Sequence, residues 1–113
     1  MLPTDGYLLR IFVGENDRYE RKPVYEWVVL KARELGLAGA TVLRGIEGFG
    51  AASTIHTASI LRLSQDLPIV IEIVDIKERI DTLLAEIEPA IEGGMATLEK
   101  VQVLFYRHTR EDK

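Results

Sequence analysis

The stretch from Gly36 to Gly50, GLAGATVLRGIEGFG, holds five glycines in fifteen residues with a strand-like run between them. Glycine lets main-chain N–H groups approach a phosphate closely, because no Cβ stands in the way. Arg44 adds a permanent positive charge whose fork suits phosphate or carboxylate. The spacing matches neither a Walker loop nor GxGxxG. On spacing alone, tight turns beside a surface arginine explain the run as readily as a phosphate cradle does.

The remaining reactive residue types carry less. His56 and His108 are the only histidines, and there is no cysteine. A metal site needs three or four suitably spaced ligands, and no His or Glu cluster supplies them. Ser53 and His56 stand at i and i+3. Nucleophilic catalysis would also need an orienting group and an oxyanion hole, so a solvated loop is the better reading. Glu15, Asp17, Arg18 and Glu20 form a mixed charge run of the kind that faces water. Arg10 and Glu72 fall on strands expected to be neighbours, where they pair across the sheet rather than catalyse. Nothing here points to an enzyme.

The elements that must hold the glycine-rich run are legible from periodicity. Tyr7 to Val13 reads as a strand ended by Gly14. Pro23 suits a first helical position, and Tyr25, Val28, Val29, Ala32 and Leu35 then share one helical face until Gly36 stops it. Ala40 to Ile46 reads as a second strand. The segment from Ala51 to Asp66 has no clean period, and a loop of that length in a small domain is usually functional. Leu67 to Val74 reads as a third strand with Pro68 near its start. Asp75 and Glu78 form an aspartate version of the capping box. From there Ile76, Ile80, Leu83, Leu84, Ile87 and Ile91 make an amphipathic stripe, ended by Pro89 and Gly93-Gly94. Leu98 to Arg107 reads as the fourth strand, and the charged tail after it as frayed. Strand, helix, strand, strand, helix, strand is the α+β, ferredoxin-like βαββαβ arrangement, in a single domain over residues 1–113.

Composition narrows the class. The 113 residues are 47% apolar and 28% charged, with a net charge of −4, as in globular proteins rather than disordered ones. A pI near 5.2 argues against a nucleic-acid partner. No apolar run approaches a membrane span, and the N-terminus lacks the basic region and cleavage motif of a signal peptide. Cytoplasmic residence is the simplest expectation.

Both faces of the expected sheet are apolar. Leu9, Ile11 and Val13, with Ile69, Ile71 and Ile73 and with Val101, Val103 and Phe105, are expected to face the helices. The opposite parity still carries Leu8, Phe12, Val70, Val74, Leu104 and Tyr106. Two helices cover only one face of such a sheet, so the other is expected to be buried between subunits.

The same residues resemble a known family. Gly36, Gly39, Thr41 and Val42, followed by Gly48, Phe49 and Gly50, are similar to the second strand and T-loop entry of the PII (GlnB-like) proteins, with one extra residue before the last three. The similarity is closer to a PII-like family called domain of unknown function 190. Its K-P-x-[YF] helix start is matched by Lys22, Pro23 and Tyr25, its long glycine motif by Gly36 to Gly50, and its L-P-I-V-[IL]-E-I-V-D strand by Leu67 to Asp75. The resemblance implies a homotrimer with nucleotide sites in clefts between subunits. It implies that Gly48, Phe49 and Gly50 form the T-loop base, that Thr41 lies near the adenine, and that Gly93, Gly94 and Met95 lie in the loop after the second helix. The PII lysine of that loop is absent; Lys100 and Arg107 are the nearby cations. AMP or ADP is therefore expected before ATP. No tyrosine occurs between Ala51 and Asp66, so uridylylation does not carry over. The implied role is a ligand sensor whose long loop docks on a partner protein such as a membrane transporter or channel. The alternative is a non-sensing structural or metal-related trimer resembling CutA.

Overall fold

Strict alternation in DGYLLRIFVG makes β1, Asp5–Gly14, the centre of the structure: every second residue from Leu9 is buried. The computed structural model describes residues 5–48 and 66–107. After β1 come a two-residue hairpin, β2 (Arg18–Tyr19) and β3 (Lys22–Pro23), helix α1 (Val24–Glu34) and strand β4 (Thr41–Arg44). Strand β5 (Pro68–Asp75), helix α2 (Lys77–Ile87), a 3-10 turn (Glu88–Ala90) and strand β6 (Met95–Gln102) complete the chain. The main sheet is antiparallel, in the order β4-β5-β1-β6, which is the ferredoxin-like arrangement expected above. The expected loop from Ala51 to Asp66 lies outside the described residues except for Asp66.

The core lies between the helices and one sheet face. Leu9, Ile11 and Val13 stand opposite Ile73, Ile71 and Ile69. Val28 and Ala32 of α1 and Ile80, Leu83 and Ile87 of α2 close over them, all at 2% exposure or less. Each such aliphatic side chain contributes roughly 1.5–3 kcal/mol of burial. Helix α1 ends as its sequence indicates. Gly36 takes φ +81, and the Gly36 and Leu37 amides donate to Arg33 O and Ala32 O at 3.1 and 3.0 Å, a Schellman motif. Among the described residues no helix is long and apolar enough to cross a membrane.

Three local expectations are corrected. The charge run after Gly14 is not only loop: it holds the β2–β3 hairpin, whose Tyr19 packs edge-on against Trp27 with ring centroids 5.0 Å apart. Asp75 does not cap α2 in the expected manner. The N-cap residue is Ile76, whose side chain has no acceptor and makes no cap hydrogen bond; the Asp75 carboxylate accepts from the Ile76 and Ala38 amides instead. The last strand begins at Met95 and ends at Gln102, earlier than expected. In its register Leu98 opposes Leu9 and Val101 opposes Gly6, so Ala96 and Leu98 share the helix side and Val101 turns to the open face. Phe105 lies beyond the strand and is 70% exposed. Both parities of this strand carry apolar residues, so alternation alone could not choose; a one-residue slip reverses every side chain.

Candidate functional site

The open face of the sheet combines an apolar surround with a charged centre. Leu8, Phe12, Val70 and Val74 are half-buried there, and Leu43 and Met95 are exposed. In the middle, Arg10 donates from Nε to Glu72 Oε2 and from Nη1 to Glu99 Oε1, each at 3.0 Å. The Glu72 hydrogen bond, with the charges of Glu72 and Glu99, holds the Arg10 guanidinium above its ordinary range against a partial loss of solvation. The cross-strand pairing of Arg10 and Glu72 expected from the sequence is thus present.

At one end of this face is a cleft of about 500 Å³. One wall is the connection Ala38–Thr41 entering β4, the floor is Leu8, Glu72 and Val74, and the other wall is the chain leaving β6, Val101 to Tyr106. Tyr106 Oη reaches across to donate to Ala38 O at 3.2 Å. Among the described residues, no lysine or arginine lines the cleft. Its surface is mostly aliphatic and aromatic, with Thr41, Glu72 and Gln102 as its polar groups, which suits a flat, uncharged, hydrogen-bonding ring.

Of the residues expected to hold a nucleotide, Thr41 alone among the described ones lines this cleft. Arg44 lies three residues on, on the helix side opposite Ile69, and its Nη2 is 2.8 Å from Glu15 Oε2. Gly45 donates to Pro68 O at 2.7 Å, and Gly48 lies against the Pro68 ring. These residues frame the chain where it leaves β4 and re-enters β5. Phe49 and Gly50 lie outside the described residues. Gly93, Gly94 and Met95 are at the same end of the sheet but on the opposite edge, with Met95 facing Phe12. Three inter-strand spacings, about 14 Å, separate the two edges. Gly94 has a structural reason to be glycine: at φ +154, a Cβ would overlap the Phe12 carbonyl oxygen. Lys100 opposes Tyr7 toward the other end of β6, about 17 Å along the strand from Met95. Arg107 stacks its guanidinium 4.4 Å from the centroid of Phe105. A single chain therefore does not gather the described members of this set into one site.

Sequence reading gave Ala38 no role, and it placed Tyr106 on the uncovered sheet face and Asp75 in a capping box without connecting either to a cleft. Tyr106 offered one signal, an aromatic with a polar tip just past a strand; the other two have meaning only through contacts. Among the described residues, no three His, Cys, Asp or Glu side chains are grouped as metal ligands would be.

Comparisons with known proteins agree with this architecture. Residues 6–103 match the model of the family DUF190, described as "Uncharacterized ACR". A UPF0166 protein of Aquifex aeolicus is 42% identical over 98 residues, covering 87% of this chain and 92% of that protein. A UPF0166 protein of Methanocaldococcus jannaschii is 35% identical over 87 residues, covering 77% and 80%. Among solved structures, CPII of Thiomonas intermedia K12 bound to ADP and bicarbonate superposes with a TM-score of 0.64 at 19% identity, covering 88% of each chain. A Thermus thermophilus protein, TTHA0516, described as a PII-like signalling protein, superposes with a TM-score of 0.61 at 16% identity, covering 91% and 93%. The chain belongs to the DUF190 family and has the PII-like fold.

Proposed function

We propose that this protein is a non-catalytic, cytoplasmic PII-like sensor that binds an adenine nucleotide, AMP or ADP, in clefts between the subunits of a homotrimer. The observation that carries the reading is the division of labour within one chain. The cleft beside Thr41 is mostly apolar, and among the described residues no lysine or arginine lines it, as a base requires. The glycine-framed positions and Arg44 lie at the other end of β4 or on the far edge of the sheet, as phosphates require. In this reading a second copy packed on the open sheet brings the glycines and Met95 of its own far edge to this cleft, and the half-buried Leu8, Phe12, Val70 and Val74 with exposed Leu43 and Met95 favour such a contact. The likeness to CPII, whose solved structures hold ADP and AMP, supports the ligand class. Ligand binding at the base of the segment between β4 and β5 then biases how that segment meets a partner protein, such as a membrane transporter or channel.

Calorimetric titration with AMP, ADP, ATP and cyclic AMP tests the ligand, and sedimentation of the same samples tests the assembly. The expected result is saturable binding of AMP or ADP at one site per chain, on a trimer. Absence of heat with all four nucleotides at high protein concentration, or a protein that is monomeric while bound, would overturn the reading.

A further inference from the structure

Ahead of Thr41, which pairs with Glu72, the cleft wall at Ala38 lies outside the sheet ladder. It is held from behind by Asp75, a fully buried carboxylate at the end of β5. Asp75 Oδ2 accepts the Ala38 amide at 2.7 Å, and Oδ1 accepts the Ile76 amide at 2.7 Å. Arg79, one turn into α2, places Nη1 3.8 Å from Asp75 Oδ1 and donates to Gly36 O at 3.2 Å. Two points of the connection between α1 and β4 are thus tied to the start of α2. The Ala38 backbone is gripped on both sides of its Cα: its N–H by Asp75 outside the cleft, its carbonyl by Tyr106 across it. Asp75 itself does not line the cleft.

We propose that Asp75 is a positioning residue for the nucleotide site, setting the cleft's shape by fixing the Ala38 peptide, with Arg79 bracing the same tether from the surface. This inference rests on the sensor reading above. A carboxylate is suited to the task because it only accepts, and here both of its oxygens meet main-chain N–H donors in the interior, where an unmatched donor is costly. Asn in its place presents one acceptor and one NH2 group, so either Ala38 or Ile76 loses its partner and the wall is free to shift.

The test uses the full-length protein with ADP as probe. Asp75→Asn is expected to weaken ADP by about tenfold. Arg79→Gln, a surface change remote from the ligand, is expected to weaken it by about twofold to threefold. In the double variant the losses should fall short of the product of the single losses, because both act through one tether. Ala38 amide hydrogen exchange, read by NMR without nucleotide, should accelerate in both variants. Wild-type ADP affinity in Arg79→Gln together with unchanged Ala38 exchange overturns the proposal, even if Asp75→Asn fails to fold. If the wild-type protein binds no nucleotide, the sensor reading falls and takes this role with it. If it binds ADP but the two losses multiply independently, this inference alone fails.

Discussion

Gly94 joins the α2 region to β6, and substituting alanine there tests whether backbone proximity or ligand approach explains the glycine. The structure holds Gly94 at φ +154, and an added Cβ would overlap the Phe12 carbonyl oxygen while touching Ile91 Cγ2 and Val13 Cγ1 at 3.3 Å. The backbone strain alone costs about 1–3 kcal/mol. The overlap adds to it, because the obstructing atom is main chain of the central strand and cannot rotate away as a side chain would. A total of about 3 kcal/mol is a large share of the roughly 5–15 kcal/mol that holds a domain together. For a chain of this length it corresponds to a fall in Tm of about 10 °C. Two other glycines calibrate the result. Gly36 is at φ +81 in open space, so Gly36→Ala should cost about 1 kcal/mol. Among the described residues, Gly39 has nothing within 4 Å of an added Cβ, so Gly39→Ala should stay within about 0.5 kcal/mol of wild type. Urea unfolding of the three variants at one fixed protein concentration should rank them Gly94, Gly36, Gly39 from most to least destabilised. A Gly94→Ala protein melting within about 2 °C of wild type would refute the close approach of β6 to β1 and reopen a purely ligand-based reason for that glycine.

Two further outcomes follow from the site. Arg44→Ala should weaken ADP or AMP by roughly tenfold to a hundredfold in calorimetry if the guanidinium meets phosphate. Its Glu15 pair is 59% exposed on the arginine side, so the accompanying loss of stability should be under about 1 kcal/mol; equal affinity in wild type and variant would remove Arg44 from the site. Leu43→Lys places a charge on the open face at a side chain that is 49% exposed in the single chain. Sedimentation should show dissociation toward monomer with the fold retained, and an unchanged trimer would show that the contact lies elsewhere.

The two helices were legible because one apolar stripe at helical period has only one way to be buried: Ile80, Leu83 and Ile87 lie where the spacing puts them. The central strands were legible for a related reason, since Leu9, Ile11 and Val13 and their Ile73, Ile71 and Ile69 partners alternate with less buried neighbours. The last strand misled because Leu98 and Val101 are equally apolar and of opposite parity; the turn at Gly94, which brings Met95 opposite Phe12, chooses between them. Asp75 misled in another way. Its spacing from Glu78 is that of a capping pair, yet its carboxylate finds the Ala38 amide, a partner 37 residues away, that no local pattern announces.

The candidate site divides along the same line. Sequence by itself determined the order of the two helices and the four strands of the main sheet, because these depend on periods of two and 3.6 that local geometry imposes, and its glycine-rich motif carried the resemblance to the family. It also established that both sheet faces are apolar, hence that one chain leaves apolar surface uncovered. Only the tertiary structure decided where each motif falls: Thr41 in a mostly apolar cleft, Arg44 on the other face paired with Glu15, and Gly93 to Met95 on the opposite edge. Strand order and register are long-range choices, made by which surfaces bury best together. They separate the chemical halves that the motif places side by side.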